Sequence, residues 1–417
     1  MVTTAPERSV AGVFRGWWVV TGVFVMLLVT AGLGFYGLPV YLRSLTVEKG
    51  FSVGAVSGAT AVFFLVSGLV GIPVAGWMAK HDPRPLIAAG ATACGLSLLL
   101  LGRVEQVWHV YVVYVLFGAG FAASSLVPGT TLVARWFSRR RSVALSVAST
   151  GLSAGGVVVT PLVAVLIERH GLSSVAPYLA LALVVGVVPV TALLLRPSPE
   201  ALGLLPDGDP APPAGAPAAY RGALAGDAVR TRFFVCVTLA HLLAMMAQVG
   251  GIAHLFNLVA DRADPGLART ALSLLAISSL VGRLAGGWVA SRTSMRLLAL
   301  VLMVGQGAAL VALATVGGHI PLLITTVAFG ITVGNLLMLH PLLLAERFGV
   351  RDYGRIYSRS QLVATLGVAS GPAFIGLLRD AVDGYGIAFA MAAAASVLAA
   401  VVLLFSGPSR VADPVDS

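Results

Sequence analysis

One charged residue lies deep inside an apolar stretch of this 417-residue chain. Arg283 stands in the segment SLLAISSLVGRLAGGWVASR, and the nearest basic residues along the chain are Arg269 and Arg292. An arginine cannot discharge itself by losing a proton, and a charge in an apolar helix costs at least about 3 kcal/mol. Its planar fork matches a carboxylate through two parallel hydrogen bonds. We therefore predict that Arg283 binds an organic anion, with an interhelical strut to backbone carbonyls as the alternative.

Further polar side chains in other apolar stretches are candidates for the same anion pathway. They are Tyr36, Asn335 and Gln361. We expect them to line the pathway, although each could equally hold two neighbouring helices together by hydrogen bonding.

Histidine is the side chain whose ordinary pKa allows it to exchange protons near neutral pH. Three histidines fall in apolar stretches, namely His241, His254 and His340. We select His254, three residues before Asn257, as the predicted proton relay. The alternative for each histidine is a hydrogen-bonded packing role between helices.

The composition shows what kind of molecule must position these side chains. Hydrophobic residues make up 58% of the chain and charged residues 11%, whereas soluble proteins carry about 25% charged residues. This excludes a soluble enzyme, a secreted scaffold and a nucleic-acid-binding module. The two cysteines, Cys94 and Cys236, lie in different halves and indicate neither a disulfide framework nor a metal site. We predict no cofactor and no metal.

Twelve apolar stretches are long enough to cross the hydrocarbon core of a bilayer, which takes about 20 residues. They cover 16–42, 52–79, 85–102, 107–134, 142–167, 173–195, 231–260, 267–290, 295–316, 320–345, 355–378 and 384–406. The predicted fold is an all-α membrane protein with twelve transmembrane helices in two six-helix, pseudo-symmetric halves. The halves are 1–195 and 231–417, and residues 196–230 form the linker between them.

The linker is rich in proline, alanine and glycine, a composition that cannot form a packed core, so we expect a plain flexible tether. Most of the 27 lysines and arginines fall on one side of the predicted membrane, together with the linker and both termini. The positive-inside rule makes that side the cytoplasm. The net charge of +10 therefore reflects membrane topology rather than a nucleic-acid partner.

The second half repeats features of the first at an offset of 211 residues. Gly76-Trp77 falls on Gly287-Trp288, and Pro161 falls on Pro372. Two parallel six-span repeats with a binding site near the membrane midplane describe one class of secondary transporter.

These features resemble the major facilitator superfamily over nearly the whole chain. Within it, the segment ARWFSRRRSVALSVASTGLSAGG after span four, the span-eight segment around Arg283 and the segment GFYGLPVYL of span one resemble the monocarboxylate transporter family. They also resemble its bacterial relatives, including the oxalate:formate antiporter. The resemblance implies a secondary transporter of small organic anions that works in the cell membrane.

The chain departs from these relatives at two positions that bear on mechanism. Ser279 stands where animal monocarboxylate transporters carry an aspartate, four residues before the span-eight arginine. Ser360 stands where the antiporter carries its second cation, one residue after Arg359. We include Ser360 among the predicted substrate-binding residues, and we expect a preference for monoanions because this second cation is replaced.

The sequence thus predicts a transporter, not an enzyme, that moves a small monocarboxylate by alternating access, with protons as the coupling ion. We expect it to work as a monomer in the lipid bilayer. The alternatives are an exchanger of dicarboxylates and monocarboxylates, or a drug-efflux permease of the same superfamily. A drug exporter for cations would need a buried carboxylate, and all 17 acidic residues fall in loops or at span ends.

Overall fold

Apolar runs separated by short polar loops form helices here, because a helix satisfies its own backbone N–H and C=O groups where no water is available. The computed structural model describes residues 14–208, 222–382 and 384–407. Within these ranges, twelve helices are long and apolar enough to cross a membrane. The predicted all-α fold with twelve spans is therefore confirmed.

Each predicted span coincides with one helix, numbered here in chain order. The first six are α1 (Arg15–Lys49), α2 (Val53–Met78), α3 (Pro83–Leu101), α4 (Val107–Trp136), α5 (Arg141–His170) and α6 (Leu172–Leu194). The second six are α7 (Arg232–Arg262), α8 (Pro265–Ala290), α9 (Met295–Thr315), α10 (His319–Phe348), α11 (Tyr353–Val382) and α12 (Tyr385–Leu404). The largest departure is α1, which runs past residue 42 and ends only before Gly50, whose φ of 69° breaks the helix.

Side-chain oxygens cap several helices at the first turn, where backbone N–H groups have no acceptor inside the helix. Asp82 accepts from Arg84 N at 2.9 Å at the start of α3. Ser294 accepts from Leu297 N at 3.4 Å at the start of α9. The same role is played by Ser52, Thr231 and Asp264.

The chain divides into two compact units, unit 1 (Met1–Gly222) and unit 2 (Ala223–Ser417). In unit 1, α1 packs on α5 and α6, α4 packs on α2 and α3, and α3 packs on α6. In unit 2, α7 packs on α11 and α12, α10 packs on α8 and α9, and α9 packs on α12. Each of these five pairs of unit 1 thus recurs in unit 2 with both helix numbers raised by six, as expected of a sequence repeat.

Glycines spaced four residues apart bring helices into backbone contact in both units. In unit 1, a Cβ atom at Gly151 or Gly155 of α5 would collide with a backbone carbonyl of α1. In unit 2, a Cβ atom at Gly367 or Gly371 of α11 would collide with a backbone carbonyl of α7. Small residues of this kind allow membrane helices to pack closely.

Unit 1 contains two π-helical turns that face each other. One is Ala31–Phe35 in α1 and the other is Gly155–Val159 in α5. The Thr160 hydroxyl donates to the Gly32 carbonyl at 3.1 Å and joins the two turns. Such turns interrupt the regular hydrogen-bond ladder and often occur at functional sites.

The described beginning of the 196–230 linker lies against the loop between α4 and α5. The Asp207 carboxylate accepts from three successive backbone N–H groups at 3.0, 2.7 and 3.3 Å. The donors are Ser138, Arg139 and Arg140. These groups precede α5, where a backbone N–H needs an acceptor from outside the helix.

The described end of the linker lies against unit 2. Ala223 N donates to the Phe348 carbonyl at 2.9 Å, and Ala225 N donates to the Asp352 carboxylate at 3.1 Å. The expectation of a plain tether therefore does not describe residues 196–208 and 222–230. A proline-rich segment builds no core, but its peptide groups and acidic side chains still pair with the open ends of neighbouring helices. The remaining linker residues, 209–221, lie outside the described residues.

Candidate functional site

The packing of α8 on α10 positions the predicted anion-binding residue. A Cβ atom at Gly330 of α10 would collide with the Ser278 side chain, and one at Gly334 would collide with the Ser279 carbonyl. Glycines at these two positions let α10 pack directly against the face of α8 that carries Ser278 and Ser279. Arg283 lies on that face with 2% of its surface exposed.

Asn335 is held beside the backbone of Arg283. Its Nδ2 donates to the Gly282 and Ile331 carbonyls, each at 2.8 Å. Its Oδ1 packs on Gly286, where a Cβ atom would overlap it, and makes no hydrogen bond to the described part of the chain. The structure thus brings together two of the predicted site residues, because Asn335 binds the carbonyl that directly precedes Arg283.

The buried charge in this region is positive. Residues 265–345, which form α8, α9 and most of α10, contain no aspartate or glutamate. Arg283 in this region is almost completely enclosed. The guanidinium stays charged at any physiological pH and offers its donors in a fork. Chemically, such a group can hold a carboxylate in a defined orientation.

Tyr36 belongs to unit 1 and directly follows the π-helical turn of α1. Its ring packs edge-to-face on Phe35, with the centroids 4.8 Å apart. It also covers Gly156 of α5, where a Cβ atom would lie 3.0 Å from the ring. Tyr36 is half-buried and is the one predicted binding residue that lies outside unit 2.

The structure also assembles a polar cluster that sequence reasoning missed. His241 of α7 and His340 of α10 stack with ring centroids 3.9 Å apart and an angle of 18° between the planes. His340 Nε2 and Thr238 Oγ1 each lie 2.7 Å from Ser360 Oγ of α11. All four side chains are at most 4% exposed. Ser360, predicted to bind substrate, therefore lies inside this histidine cluster.

Further groups of α11 border the histidine cluster. The Tyr357 ring lies 5.4 Å from the His340 ring and stacks on Tyr353 at 5.7 Å. Gln361 lies close to His340. Within the described chain, His340 Nδ1, Tyr357 Oη and Gln361 Oε1 are buried without a hydrogen-bond partner. The spacing of Tyr353, Tyr357 and Ser360 along one face of α11 was the sequence signal for this cluster.

The predicted proton relay at His254 makes different contacts. Its Nε2 lies 3.0 Å from the Pro372 carbonyl of α11, and its Nδ1 lies 3.4 Å from Tyr385 Oη of α12. Asn257 is exposed on α7. His254 thus links three helices of unit 2 through both of its ring nitrogens. Across the residues described, no cluster of three or more histidine, cysteine or acidic side chains could hold a metal.

Outside the spans, the loop between α2 and α3 carries a close charge pair. Asp82 Oδ2 accepts from Arg84 Nε at 2.9 Å and from Arg84 Nη2 at 2.6 Å. The hydrogen bond from the Arg84 guanidinium, aided by the backbone N–H of the same residue, holds the pKa of Asp82 below its ordinary value.

Comparison with known proteins identifies the family. The model of the Major Facilitator Superfamily matches residues 22–341. Monocarboxylate transporter 13 of Bos taurus is 31% identical over 321 residues, which cover 76% of this chain and 71% of that protein. Monocarboxylate transporter 11 of Mus musculus is 28% identical over 324 residues, which cover 74% of this chain and 69% of that protein.

Solved structures show the same fold. A variant of the fucose:proton symporter FucP of E. coli superposes with a TM-score of 0.70 at 18% identity, over 93% of this chain and 98% of that one. The human organic anion transporter MFSD10 superposes with a TM-score of 0.67 at 15% identity, over 93% of this chain and 99% of that one. The family match covers most of unit 1 and extends into unit 2 as far as residue 341. The chain therefore belongs to the Major Facilitator Superfamily, and it is a multi-pass membrane transporter rather than an enzyme.

Proposed function

We propose that this protein moves small monocarboxylates across the cell membrane by alternating access, with one proton accompanying each anion. The observation that carries the proposal is Arg283, a permanent cation that is 2% exposed in the middle of an apolar helix and lies beside Asn335. Ionisable residues at such depth usually mark a substrate or ion pathway. The similarity to two proteins named monocarboxylate transporters supports the same substrate class.

We propose a preference for monoanions. A dicarboxylate needs a second cation to offset the cost of burying its second carboxylate. Ser360 takes the place of that cation and lies in the histidine cluster. The neighbouring Arg359 donates instead to the Ala225 carbonyl of the linker at 3.3 Å. Of the predicted lining residues, Tyr36 and Asn335 stay in the proposed pathway, and Gln361 borders it.

A coupled proton removes the electrical cost of importing an anion. Importing one anion against an inside-negative potential costs about 2.3 kcal/mol per 100 mV. A proton carried with the anion cancels this charge. Because the family aspartate is replaced by Ser279, which is 5% exposed, the proton must bind to a histidine or travel on the substrate.

The proposed arrangement in the membrane follows the charge pattern. We propose that alternating access exposes the bound anion first to one side of the membrane and then to the other, and that both termini and the linker face the cytoplasm. We propose that the monomer is the functional form. The lipid bilayer is its other partner.

The test is transport by the purified chain in liposomes. Uptake of radiolabelled lactate, pyruvate, formate and oxalate is measured with and without an inward proton gradient. We expect gradient-dependent uptake of the monoanions and weak competition by oxalate. If folded protein moves none of the four acids, the proposed substrate class is wrong. If membrane voltage alone drives uptake and a pH gradient has no effect, a uniporter or exchanger replaces the proton-linked transporter.

A further inference from the structure

We infer that the coupled proton binds to the stacked pair His241 and His340, at Nδ1 of His340. This inference rests on the proposed proton-linked transport and names the group that carries the proton. The pair lies inside unit 2, between α7, α10 and α11, and both rings are at most 3% exposed.

The hydrogen bonds around His340 leave one nitrogen open. The Ser360 hydroxyl lies 2.7 Å from both His340 Nε2 and Thr238 Oγ1, so it can accept from Nε2–H and donate to Thr238. Nδ1 then carries a lone pair and has no donor. Gln361 Oε1, also a buried acceptor without a partner, belongs to the same cluster. One added proton on Nδ1 supplies the missing hydrogen, whereas an unpaired buried acceptor is costly.

The stacked ring of His241 makes a positive charge on His340 tolerable. An imidazolium at 3.9 Å from a neutral aromatic face is stabilised by the electrons of that face. Two imidazolium rings at this distance would repel each other strongly, so the pair holds one proton and not two. The stoichiometry of one proton per anion then follows from the geometry of the pair.

The surroundings of the pair contain few titratable groups. From α11 the Tyr357 ring faces His340, with Tyr353 stacked behind it. A small cavity adjoins both histidines, and its remaining lining from α7, α9, α10 and α12 consists of valine, alanine, methionine and leucine side chains. The nearest charged residues along α10 and α11 are Glu346 and Arg359. Apart from these tyrosines, the two histidines are the titratable groups of the cluster. Burial disfavours a positive charge on either ring, so the pair takes up a proton only while an anion is bound nearby.

The same helix carries the proton site and the anion site. Asn335 and His340 are five residues apart on α10, a rise of about 7.5 Å along the axis. An anion held by Arg283 lowers the cost of a positive charge nearby in this apolar unit. The proton leaves a hydronium ion, bonds to the Nδ1 lone pair, and returns to water after the anion is released, so that one negative and one positive charge cross together.

The experiment compares coupling with exchange in the same vesicles. The purified full chain and its variants His340→Gln, His241→Gln and His254→Gln are placed in liposomes that contain the pH dye pyranine. Radiolabelled lactate is the probe, or pyruvate where the wild-type protein prefers it. Accumulation under a gradient of one pH unit, internal acidification, and lactate exchange at equal pH are measured.

We expect the wild-type protein to accumulate lactate about tenfold and to acidify the interior, since one proton per anion at one pH unit allows a tenfold ratio. In His340→Gln and His241→Gln the ratio should fall towards one, and acidification should disappear while exchange is still detected. His254→Gln tests the histidine selected from sequence, because it removes another hydrogen-bonded histidine of α7. If the stacked pair carries the proton, this variant stays coupled. Detectable exchange shows that a variant is folded.

The result that overturns the inference is full accumulation and acidification in both variants of the histidine pair. Loss of coupling in His254→Gln alone would overturn it as well and would place the proton at the residue selected from sequence. A wild-type protein that moves no carboxylate contradicts the proposed function instead. If neither pair variant shows exchange, His340→Asn, which keeps an amide near the Nδ1 position, provides the same test.

Discussion

Unit 1 and unit 2 share a scheme of helix packing but differ in what they bury. Among the described residues, every buried arginine, histidine, asparagine and glutamine lies in unit 2. These are His241, Gln248, Arg283, Gln306, Asn335 and His340. Unit 1 buries serines, threonines and aromatic side chains instead. The repeat thus supplies one scaffold twice, and the buried basic and amide side chains of the described residues lie in one copy.

Individual positions show how little separates the two copies. At the offset of 211, Arg283 of α8 falls on Ile72 of α2, and His241 of α7 falls on Thr30 of α1. The Thr30 hydroxyl finds its hydrogen-bond acceptor within its own helix, since it donates to the Met26 carbonyl at 2.7 Å. His241 instead reaches across to His340 of another helix. A single residue type thus decides whether this buried position pairs within its own helix or with a side chain of another helix.

Removing the charge from unit 2 should have the largest effect. We expect Arg283→Ala to lower lactate uptake about 100-fold, because truncating one member of a buried charge pair costs roughly 3 kcal/mol. Arg283→Lys should also lose most of the uptake, since the ammonium lacks the bidentate fork. Ile72→Ala at the equivalent place in unit 1 is the control and should keep uptake within a few-fold. Unchanged uptake in Arg283→Ala would show that the residue is an interhelical strut.

The shared scaffold should respond equally in both units. Gly367→Ala would push a methyl group into the backbone of α7, and Gly151→Ala would push one into the backbone of α1. We expect each to destabilise the protein by about 1–3 kcal/mol through overpacking. Thermal unfolding in detergent measures this. Gly226→Ala is the control, since no atom lies within 4 Å of its Cβ position, and a loss as large as in the other two would contradict the packing argument.

The linker contacts should differ in strength between the units. Asp207 accepts from three backbone N–H groups beside unit 1, whereas Asp352 accepts from Ala225 N of the linker in unit 2. Loss of a cap of this kind costs about 1 kcal/mol. We expect Asp207→Ala to speed amide hydrogen exchange at residues 138–140 about fivefold, and Asp352→Ala to have a smaller effect at residue 225. Equal effects would mean that the number of hydrogen bonds does not set the strength of docking.

The smallest expected difference concerns the caps of α3 and α9. Asp82 caps α3 and pairs with Arg84, while the uncharged Ser294 caps α9. Because Arg84 holds the pKa of Asp82 below its ordinary value, the stabilisation is complete above about pH 4 and is lost as the pH falls through the lowered pKa. We expect Asp82→Asn, which keeps the cap, to destabilise by about 0.5 kcal/mol at pH 7, because the pair is partly exposed.

The check is the difference in unfolding temperature between wild-type protein and Asp82→Asn across the acid range. The difference should be present at pH 7 and vanish well below pH 4. Ser294→Ala should show a difference that does not change with pH, since serine does not titrate. A pH-independent difference for Asp82→Asn would contradict the role assigned to the charge pair.

The twelve spans could be predicted because the bilayer allows few backbone conformations. An apolar run of about 20 residues in hydrocarbon must be helical, so composition alone determines the element and its approximate length. The ends are set by local chemistry, as with the Asp82 cap or Gly50 after α1. Helix α1 extends further than the predicted span because residues 43–49 are too polar to be recognised by hydropathy, although they continue the helix up to Gly50.

Arg283 could also be singled out from sequence, since the cost of a deep charge depends on the composition around it and not on the partner helix. Its neighbour Asn335 was a candidate in the same way. The histidine pair could not be predicted, because His241 and His340 lie in separate helices and each histidine alone is consistent with a packing role. The periodicity of polar residues shows which face of a helix is polar. It does not show which face of another helix packs against that polar face. Only the packing of α7 against α10 and α11 decided that two unremarkable histidines share one buried site with Ser360.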